Sequence, residues 1–325
     1  MKSELLTALR SAKGFVSGQE LCEALGVSRT AVWKGMKKLK EEGYKIESIS
    51  NKGYRLMESP DIINEDELKS IRKTVWAGKE IVYFNVTDST NIQAKRLAED
   101  GMPHGTLVLA GAQKAGRGRR GRHWESPEQG GIFMTLLLRP SFTPQKASML
   151  TLVAAMAVAK AIRIETGLPA EIKWPNDIVL NGKKICGILT ELNTEIDTIN
   201  YVVAGIGINV SNQAFGKEIN ATATSLALEG GGILNRATLI EAVLEQFEYY
   251  YEIFCRNLDL SSILDEYNGF LVNRDRQVRI LDPKEPFTGI AKGINAKGEL
   301  LVETENGEKS VSSGEVSVRG IYGYV

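Results

Sequence analysis

The chain has 325 residues, enough for two or three domains of ordinary size. Basic and acidic residues number 40 each, so the molecule is not a general polycation, and any nucleic-acid surface must be local. The N-terminus has no secretory pattern, and the most apolar stretch, residues 149–164, carries Lys160 and Arg163 and is typical of a buried helix. We therefore expect a cytoplasmic protein that does not contact a membrane.

Cysteine and histidine are too sparse for a structural cluster. The cysteines, Cys22, Cys186 and Cys255, lie far apart, and His104 and His123 each stand alone. We expect neither a disulfide framework nor a metal site held by protein ligands.

The first sixty residues predict three short helices and a β-hairpin. Apolar residues at helical spacing predict helices over 2–12, 17–25 and 29–41, the second opened by an S-x-x-E capping box. Residues 44–48 and 54–57, joined by an Asn-Lys-Gly turn, predict the hairpin. Two helices around a tight glycine turn, followed by such a hairpin, are typical of a winged helix-turn-helix.

The third predicted helix has one apolar and one basic face. Five cations and no acid lie between Arg29 and Lys40, which favours DNA binding over the alternative of a three-helix protein-interaction module. We expect Arg29, Thr30 and Lys34 to contact base edges. The predicted DNA-binding residues are Ser28, Arg29, Thr30, Trp33, Lys34, Lys37 and Lys38.

Residues 111–124 read GAQKAGRGRRGRHW, in which five cations lie among Gly116, Gly118 and Gly121 with no acid between them. Glycine lets the backbone approach a ligand closely, and arginine suits phosphate and carboxylate. The segment therefore predicts a mobile loop that closes on a polyanion, and the alternative is a solvated basic surface loop. Its glycines match G-x-G-x-x-G, but neither a following helix nor an acidic ribose ligand is predicted, which argues against a dinucleotide fingerprint.

A hairpin is predicted in EIKWPNDIVLNGKKICGILTEL, because Asn181-Gly182 separates two apolar runs. With those residues at the centre of the turn, Asp177 is expected opposite Cys186, and Asp177 and Lys184 become diagonal neighbours on one face. They form either an ordinary surface ion pair or a catalytic pair that holds a substrate anion and orients a nucleophile.

Other strands and helices carry weaker signals. A strand over 81–86 runs into DSTN and a helix that ends near residue 99, so Ser89 and Thr90 offer either ligand-binding hydroxyls or a plain N-cap. A strand over 201–210 contains Gly205 and Gly207, which leave room for a ligand or mark a bulge. Further helices are predicted over 148–166 and 237–255, and tail strands over 277–281, 288–294, 300–304 and 315–319.

With GRGRRGRHW, KWPND followed by GKKICGIL, and GIGIN in this order behind a winged helix, the chain resembles the bifunctional biotin–protein ligases and biotin operon repressors. The resemblance covers the whole chain. It implies an α+β fold with a winged helix-turn-helix over 1–62, a mixed-sheet ligase domain over 63–270, and a small SH3-like β-barrel over 271–325.

The implied enzyme is a biotin–[acetyl-CoA-carboxylase] ligase. Such enzymes condense biotin with MgATP to biotinyl-5′-AMP and then pass the biotinyl group to a lysine of the biotin carboxyl carrier domain of acetyl-CoA carboxylase. The resemblance also implies that a ligand-promoted homodimer binds operator DNA and represses biotin genes. We expect Mg²⁺ to be held mostly by phosphates and water, without dedicated protein ligands.

The resemblance assigns site residues one by one. Catalysis falls to Arg119, Asp177 and Lys184. The biotin-binding residues are Ser89, Thr90, Asn91, Gln113, Gly116, Arg117, Thr135, Lys184, Gly187 and Gly205. The ATP- and adenylate-binding residues are Arg117, Gly118, Arg119, Arg120, Arg122, Trp124, Lys184 and Asn209. A second clamp over the adenine is expected in residues 211–224, where some relatives place an aromatic side chain and this chain has Ala221-Thr222-Ala223-Thr224.

The sequence leaves three alternative functions open. The winged helix could serve a ligase that has no repressor function, although the basic face of residues 29–40 argues against this. The chain could be a ligand-sensing regulator without catalysis, but the complete set of Arg119, Asp177 and Lys184 argues against this. A lipoyl or octanoyl transferase shares the related fold, but the GRGRRG loop favours biotin.

Overall fold

The structure is a computed structural model that describes residues 1–128, 130–232, 234–282, 285–314, 317–320 and 324–325. The chain divides into two compact units. The first contains Met1–Lys73 and Asn235–Glu241, and the second contains Thr74–Leu234 and Ala242–Val325.

The first unit contains the predicted helices and hairpin. Helices α1 (Lys2–Ser11), α2 (Gly18–Leu25) and α3 (Arg29–Glu41) precede strands β1 (Lys45–Ile49) and β2 (Gly53–Glu58), which pair antiparallel. The Ser17–Glu20 capping box is present, and Gly26 ends α2 in the left-handed conformation that favours glycine. Leucines of α1 and the apolar stripe of α3 form one core, including Leu5, Leu6, Leu9, Val32, Met36 and Leu39.

Helix α4 (Glu65–Ile71) also packs into this unit, beyond the predicted domain boundary at residue 62. Glu67 is buried and accepts hydrogen bonds from Arg10 at 2.7 Å and from the Tyr44 hydroxyl at 2.6 Å. Lys2 pairs with Asp66 at 2.9 Å. These partners lie far away in the sequence, so local pattern alone did not place α4 with the winged helix.

The second unit is built on a seven-stranded mixed sheet in the order β3-β4-β5-β9-β8-β7-β6. Its strands are β3 (Ile81–Thr87), β4 (Leu107–Gln113), β5 (Gly131–Leu138), β6 (Glu171–Lys173), β7 (Asp177–Leu180), β8 (Lys183–Glu195) and β9 (Thr198–Asn209). Strands β3 and β4 are parallel, and the other neighbours are antiparallel.

Helices α5 (Thr90–Glu99), α6 (Pro144–Ala147) and α7 (Leu150–Thr166) pack with this sheet. The stretch Pro144–Thr166 is long and apolar enough to cross a membrane by length and composition alone. In the structure, 72% of its most apolar window is buried within the protein, as for a core helix. The expectation of a buried helix here is confirmed.

The predicted hairpin register is only partly correct. Leu180 faces Lys183 and Val179 faces Lys184 as expected, but Ile178 faces Cys186 and Asp177 faces Gly187. Ile185 is therefore an extra residue in β8, a β-bulge next to the catalytic candidates. Both Ile178 and Ile185 remain fully buried, so the bulge preserves the apolar packing.

The C-terminal part forms an antiparallel five-stranded sheet in the order β13-β12-β11-β10-β14. The strands are β10 (Gln277–Leu281), β11 (Phe287–Ile294), β12 (Leu300–Thr304), β13 (Gly307–Val311) and β14 (Ser317–Gly320). Helices α8 (Arg236–Asn257) and α9 (Leu264–Phe270) precede it. Strand β13 was not predicted, and residues 315–316 of the predicted last strand lie outside the described residues.

The segment before β7 ties the two sheets together. The Trp174 backbone N–H donates to the Asn273 side chain at 3.1 Å, and the Trp174 indole donates to the Gly298 carbonyl at 3.1 Å. Trp174 is fully buried. The KWPND segment thus lies between the mixed sheet and the C-terminal sheet, where residues from both reach one cavity.

Candidate active site

A cavity of about 690 Å³ lies where the basic loop meets the two sheets of the second unit. A smaller cavity of about 50 Å³ adjoins it and is lined by the ends of α5, β4, β8 and β9. Five residues line both cavities: Gly118, Arg119, Trp124, Asn176 and Lys184. The two cavities therefore form one continuous site, and Arg119 and Lys184 both line it.

The basic loop folds back on itself as a short hairpin. Arg117 and His123 form an isolated bridge, and Gly118 N–H donates to the Arg122 carbonyl at 2.7 Å. A 3-10 turn over Arg119–Gly121 closes it, and the described residues 122–128 that follow are not helical, unlike the segment after a dinucleotide fingerprint. In this structure the side chains of Arg120 and Arg122 line the larger cavity, whereas Arg117 lines the smaller one.

Arg119 lies at the tip of this loop and contacts two other segments. Its guanidinium donates to the Asn176 side-chain oxygen at 3.0 Å and to the carbonyls of Ser313 and Gly314 at 2.5 and 2.6 Å. Burial lowers the pKa of Arg119, while the nearby Asp177 acts in the opposite direction. The loop is thereby held against both the KWPND segment and the C-terminal sheet.

Asp177 is a buried carboxylate shared by two lysines. Lys184 Nζ lies 2.5 Å from Asp177 Oδ1, and Lys173 Nζ lies 3.9 Å from Asp177 Oδ2. Burial alone would raise the pKa of Asp177, but Lys184 and Lys173 hold it below its ordinary value. The Asp177–Lys184 pair is therefore not an ordinary exposed ion pair, which was the alternative to a catalytic pair.

Lys173 is more deeply buried than Lys184, with side-chain exposures of 4% and 25%. Burial lowers the pKa of Lys173 to about 7, against the opposing effect of Asp177. Lys184 keeps an exposed path into both cavities and lies 5.3 Å from the Trp124 ring. Lys184 is thus the ammonium available to a bound anion.

Most of the residues assigned to biotin line the smaller cavity, whereas Gly116 and Thr135 line neither cavity. The Thr90 backbone N–H donates to Gln113 Oε1 at 2.8 Å, and the Thr135 hydroxyl lies 2.8 Å from the Thr90 hydroxyl and 2.7 Å from Asn91 Oδ1. Ser89 is only 2% exposed, and its side chain makes no N-cap hydrogen bond. The plain N-cap alternative therefore does not account for Ser89.

Glycines form the floor of the site because larger residues would not fit. A Cβ at Gly205 would lie 2.1 Å from Asn91 Oδ1, and one at Gly207 would lie 2.5 Å from Trp124 Nε1. A Cβ at Gly187 would meet the Trp124 ring at 2.9 Å, and one at Gly116 would meet the Trp124 carbonyl at 2.5 Å. Trp124 Nε1 is buried and has no hydrogen-bond partner among the residues that the structure describes, so it offers a donor at this floor.

The segment after β9 forms another wall of the larger cavity. Lys184 N–H donates to the Thr222 carbonyl at 2.7 Å, and Thr224 N–H donates to the Lys184 carbonyl at 2.9 Å. Asn209 is buried and donates to the Thr224 carbonyl at 3.0 Å while it lines this cavity. Phe215, in the same segment, also lines the cavity.

In the first unit, every residue assigned to DNA lies on the exposed side of α3 or at its cap. Ser28 caps α3 by accepting from Ala31 N–H at 3.2 Å. Trp33 is 56% exposed, and Lys37 Nζ lies 5.8 Å from its ring. The arrangement is an open basic helix face with one exposed aromatic residue.

Comparison with known proteins finds matches in the N-terminal, central and C-terminal parts of the chain. Residues 83–209 match the Biotin/lipoate A/B protein ligase family, residues 2–55 match the HTH domain, and residues 275–319 match the Biotin protein ligase C terminal domain. The bifunctional ligase/repressor BirA of Bacillus spizizenii is 42% identical over 94% of both chains. The bifunctional ligase/repressor BirA of Escherichia coli is 30% identical over 97% of this chain and 96% of its own.

The chain belongs to the family of bifunctional biotin–protein ligases and repressors. Its structure is also similar to the biotin protein ligase from Aquifex aeolicus in complex with biotin and ATP, with 31% identity and a TM-score of 0.66. That similarity covers 74% of this ligase/repressor and 99% of the Aquifex chain. The predicted α+β fold with its N-terminal helix-turn-helix is confirmed.

Several residues of the ligase site escaped the sequence analysis. The sequence analysis looked for an aromatic residue at Ala221–Thr224 and found none. Phe215, six residues earlier in the same predicted clamp over 211–224, is aromatic and lines the larger cavity, so the clamp's own sequence held the signal. Asn176 and Lys173 belong to the KWPND motif, whose Asp177 alone was given a role. No sequence signal pointed to Tyr324, which also lines the cavity.

Among the described residues, no group of three or more histidine, cysteine, aspartate or glutamate side chains could hold a metal ion.

Proposed function

We propose that the chain activates biotin with ATP and transfers the biotinyl group to a lysine of the biotin carboxyl carrier domain of acetyl-CoA carboxylase. We further propose that it binds operator DNA through α3 as a ligand-promoted homodimer and so represses biotin genes in the cytoplasm. One observation supports the enzymatic proposal: Arg119 and Lys184 both line the smaller cavity and the larger cavity, which form one continuous site.

In the first step, a biotin carboxylate oxygen attacks the α-phosphorus of ATP, and the bond to pyrophosphate breaks. Carboxylate and triphosphate repel each other, so the step needs positive charge fixed in place before they meet. Arg119 and Lys184 are the proposed sources of that charge. Mg²⁺, entering with the nucleotide, would neutralise phosphate charge and is proposed to be held mainly by phosphates and water.

In the second step, the carrier lysine attacks the acyl carbon of biotinyl-5′-AMP, and AMP leaves. The attacking amine must be neutral, and Asp177 is proposed to orient it and accept its proton. The biotin ring system is proposed to occupy the small cavity beside Thr90, Asn91, Gln113 and Thr135. The adenylate is proposed to lie in the larger cavity near Trp124 and Asn209, with Phe215 available for stacking.

The proposal is tested by Lys184→Met. We expect the rate of biotinyl-adenylate formation, followed as pyrophosphate release, to fall by on the order of 100-fold, because one fixed charge at the developing anion is lost. Lys183→Met is the matched control, since Lys183 is the exposed neighbour in the same turn, and it should retain the wild-type rate. Equal rates for the two variants would contradict the role of Lys184, and a wild-type chain that never labels a carrier domain with biotin would contradict the activity itself.

A further inference from the structure

The C-terminal end of the chain contributes a side chain to the ligase site. Tyr324 lines the larger cavity, and its hydroxyl donates to Asp177 Oδ2 at 2.5 Å. Its ring lies 4.0 Å from Lys173 Nζ and 4.8 Å from the Arg319 guanidinium. Tyr324 is thus held both by its hydroxyl and by two cations facing its ring.

The Tyr324 hydroxyl occupies the Asp177 oxygen that Lys184 leaves open. Lys184 and the Asn176 amide contact Oδ1 at 2.5 and 3.2 Å, whereas Lys173 lies 3.9 Å from Oδ2. Without a donor on Oδ2, the carboxylate could rotate toward Lys173. The Tyr324 hydrogen bond opposes that rotation and keeps the Asp177 carboxylate in one orientation with respect to the cavity.

We propose that Tyr324 is a positioning residue for the transfer step, holding Asp177 in the orientation in which it receives the amine of the carrier lysine. The inference rests on the proposed function of Asp177. It assigns the C-terminal segment a part in the chemistry, although that segment lies 147 positions from Asp177 in the sequence.

The hydrogen bond should also influence how the transfer step depends on pH. The charged and titratable groups that face Asp177 are Lys173 from β6, Lys184 and Cys186 from β8, Arg119 from the basic loop, and Tyr324. A donor to the ionised carboxylate favours the charged form, so its loss should raise the pKa of Asp177. The acidic limb of the pH profile of the transfer rate should then move to higher pH.

The test is Y324F, which keeps the ring and removes only the hydroxyl. Single-turnover transfer from pre-formed biotinyl-5′-AMP to a carrier domain should slow by about 10-fold, the usual worth of a hydrogen bond to a charged group. Pyrophosphate release from biotin and ATP should change much less, because the Lys184 contact to Oδ1 remains. Y324L removes the ring as well and should transfer at least as slowly as Y324F.

Tyr249→Phe is the matched control, since Tyr249 is an exposed tyrosine on α8, and both its transfer rate and its pH profile should equal those of the wild type. Wild-type transfer and an unshifted acidic limb in a folded Y324F protein would overturn the inference. Faster transfer would also overturn it, since the tail would then obstruct Asp177. A wild-type chain that forms no adenylate and labels no carrier would instead count against the proposed function.

Discussion

Asn91, at the wall of the smaller cavity, is oriented by hydrogen bonds from its amide nitrogen. Its amide nitrogen donates to Glu191 at 2.8 Å and to the Leu189 carbonyl at 3.2 Å, and Glu191 is paired with Lys95 at 2.6 Å. Oδ1 of Asn91 is therefore directed toward Thr135. Because amide donors and acceptors differ only by a rotation, this anchoring decides which group the cavity offers to a ligand.

Gly205→Ala tests that wall. The new Cβ would lie 2.1 Å from Asn91 Oδ1, so Asn91 must leave its contact with Thr135. We expect the KM for biotin to rise by about 10-fold or more, in line with the loss of one or more hydrogen bonds, while the KM for ATP changes little. Gly269→Ala is the control, because a Cβ there would meet no atom within 4 Å. Equal increases in both KM values would contradict a role confined to the biotin side.

Helix α3 illustrates how one element can carry two separate requirements. Its apolar residues, including Val32, Met36 and Leu39, are buried and stabilise the first unit, whereas its cations face outward. Ser28 satisfies a free N–H at the start of α3, and Lys38 and Lys40 lie in the last turn, where positive charge is favourable. Exposed cations can therefore be removed without disturbing the core.

The double variant Lys37→Ala, Lys38→Ala tests DNA binding by α3. Affinity for upstream DNA of biotin genes should fall, and the slope of log K against log salt concentration should decrease by about 2, one for each lost phosphate contact. Lys297→Ala, which changes an exposed lysine in the turn between β11 and β12, should leave the gel shift unchanged. Biotin transfer should be unaffected in both, and unaltered DNA affinity in the double variant would contradict the assignment of this face.

The molecule as a whole carries equal numbers of acidic and basic residues, so long-range attraction to DNA is not expected from net charge. We propose that affinity comes from the local charge of α3, and one winged helix contacts a short stretch of DNA. A homodimer would present two such helices to two half-sites. A ligand that binds the dimer more tightly than the monomer would couple biotin supply to DNA binding.

Sedimentation velocity tests this linkage. We expect biotin together with ATP to increase the dimer fraction of the wild-type chain, since the adenylate formed would stabilise the dimer. The Lys184→Met variant, which is expected to make little adenylate, should remain at the ligand-free monomer–dimer ratio. A wild-type monomer fraction that does not respond to biotin and ATP would contradict ligand-promoted dimerisation.

The sequence by itself determined the local elements, and most of the residues predicted for the ligase site line the two cavities. The capping box of α2, the Ser28 cap of α3 and the Asn181-Gly182 turn depend on residues within a few positions of one another, so their signals are complete in the sequence. The motifs that carry Arg119, Asp177 and Lys184 were recognisable for the same reason, although the roles of these residues stay predictions.

Only the tertiary structure decided how these elements combine. The bulge at Ile185 shifted the pairing of Asp177 from Cys186 to Gly187, because a register beyond the turn depends on packing across the whole sheet. Helix α4 joined the first unit through a buried Glu67, and Tyr324 reached Asp177 from the other end of the chain. Such contacts depend on where distant segments meet in space, and no local pattern of residues records that.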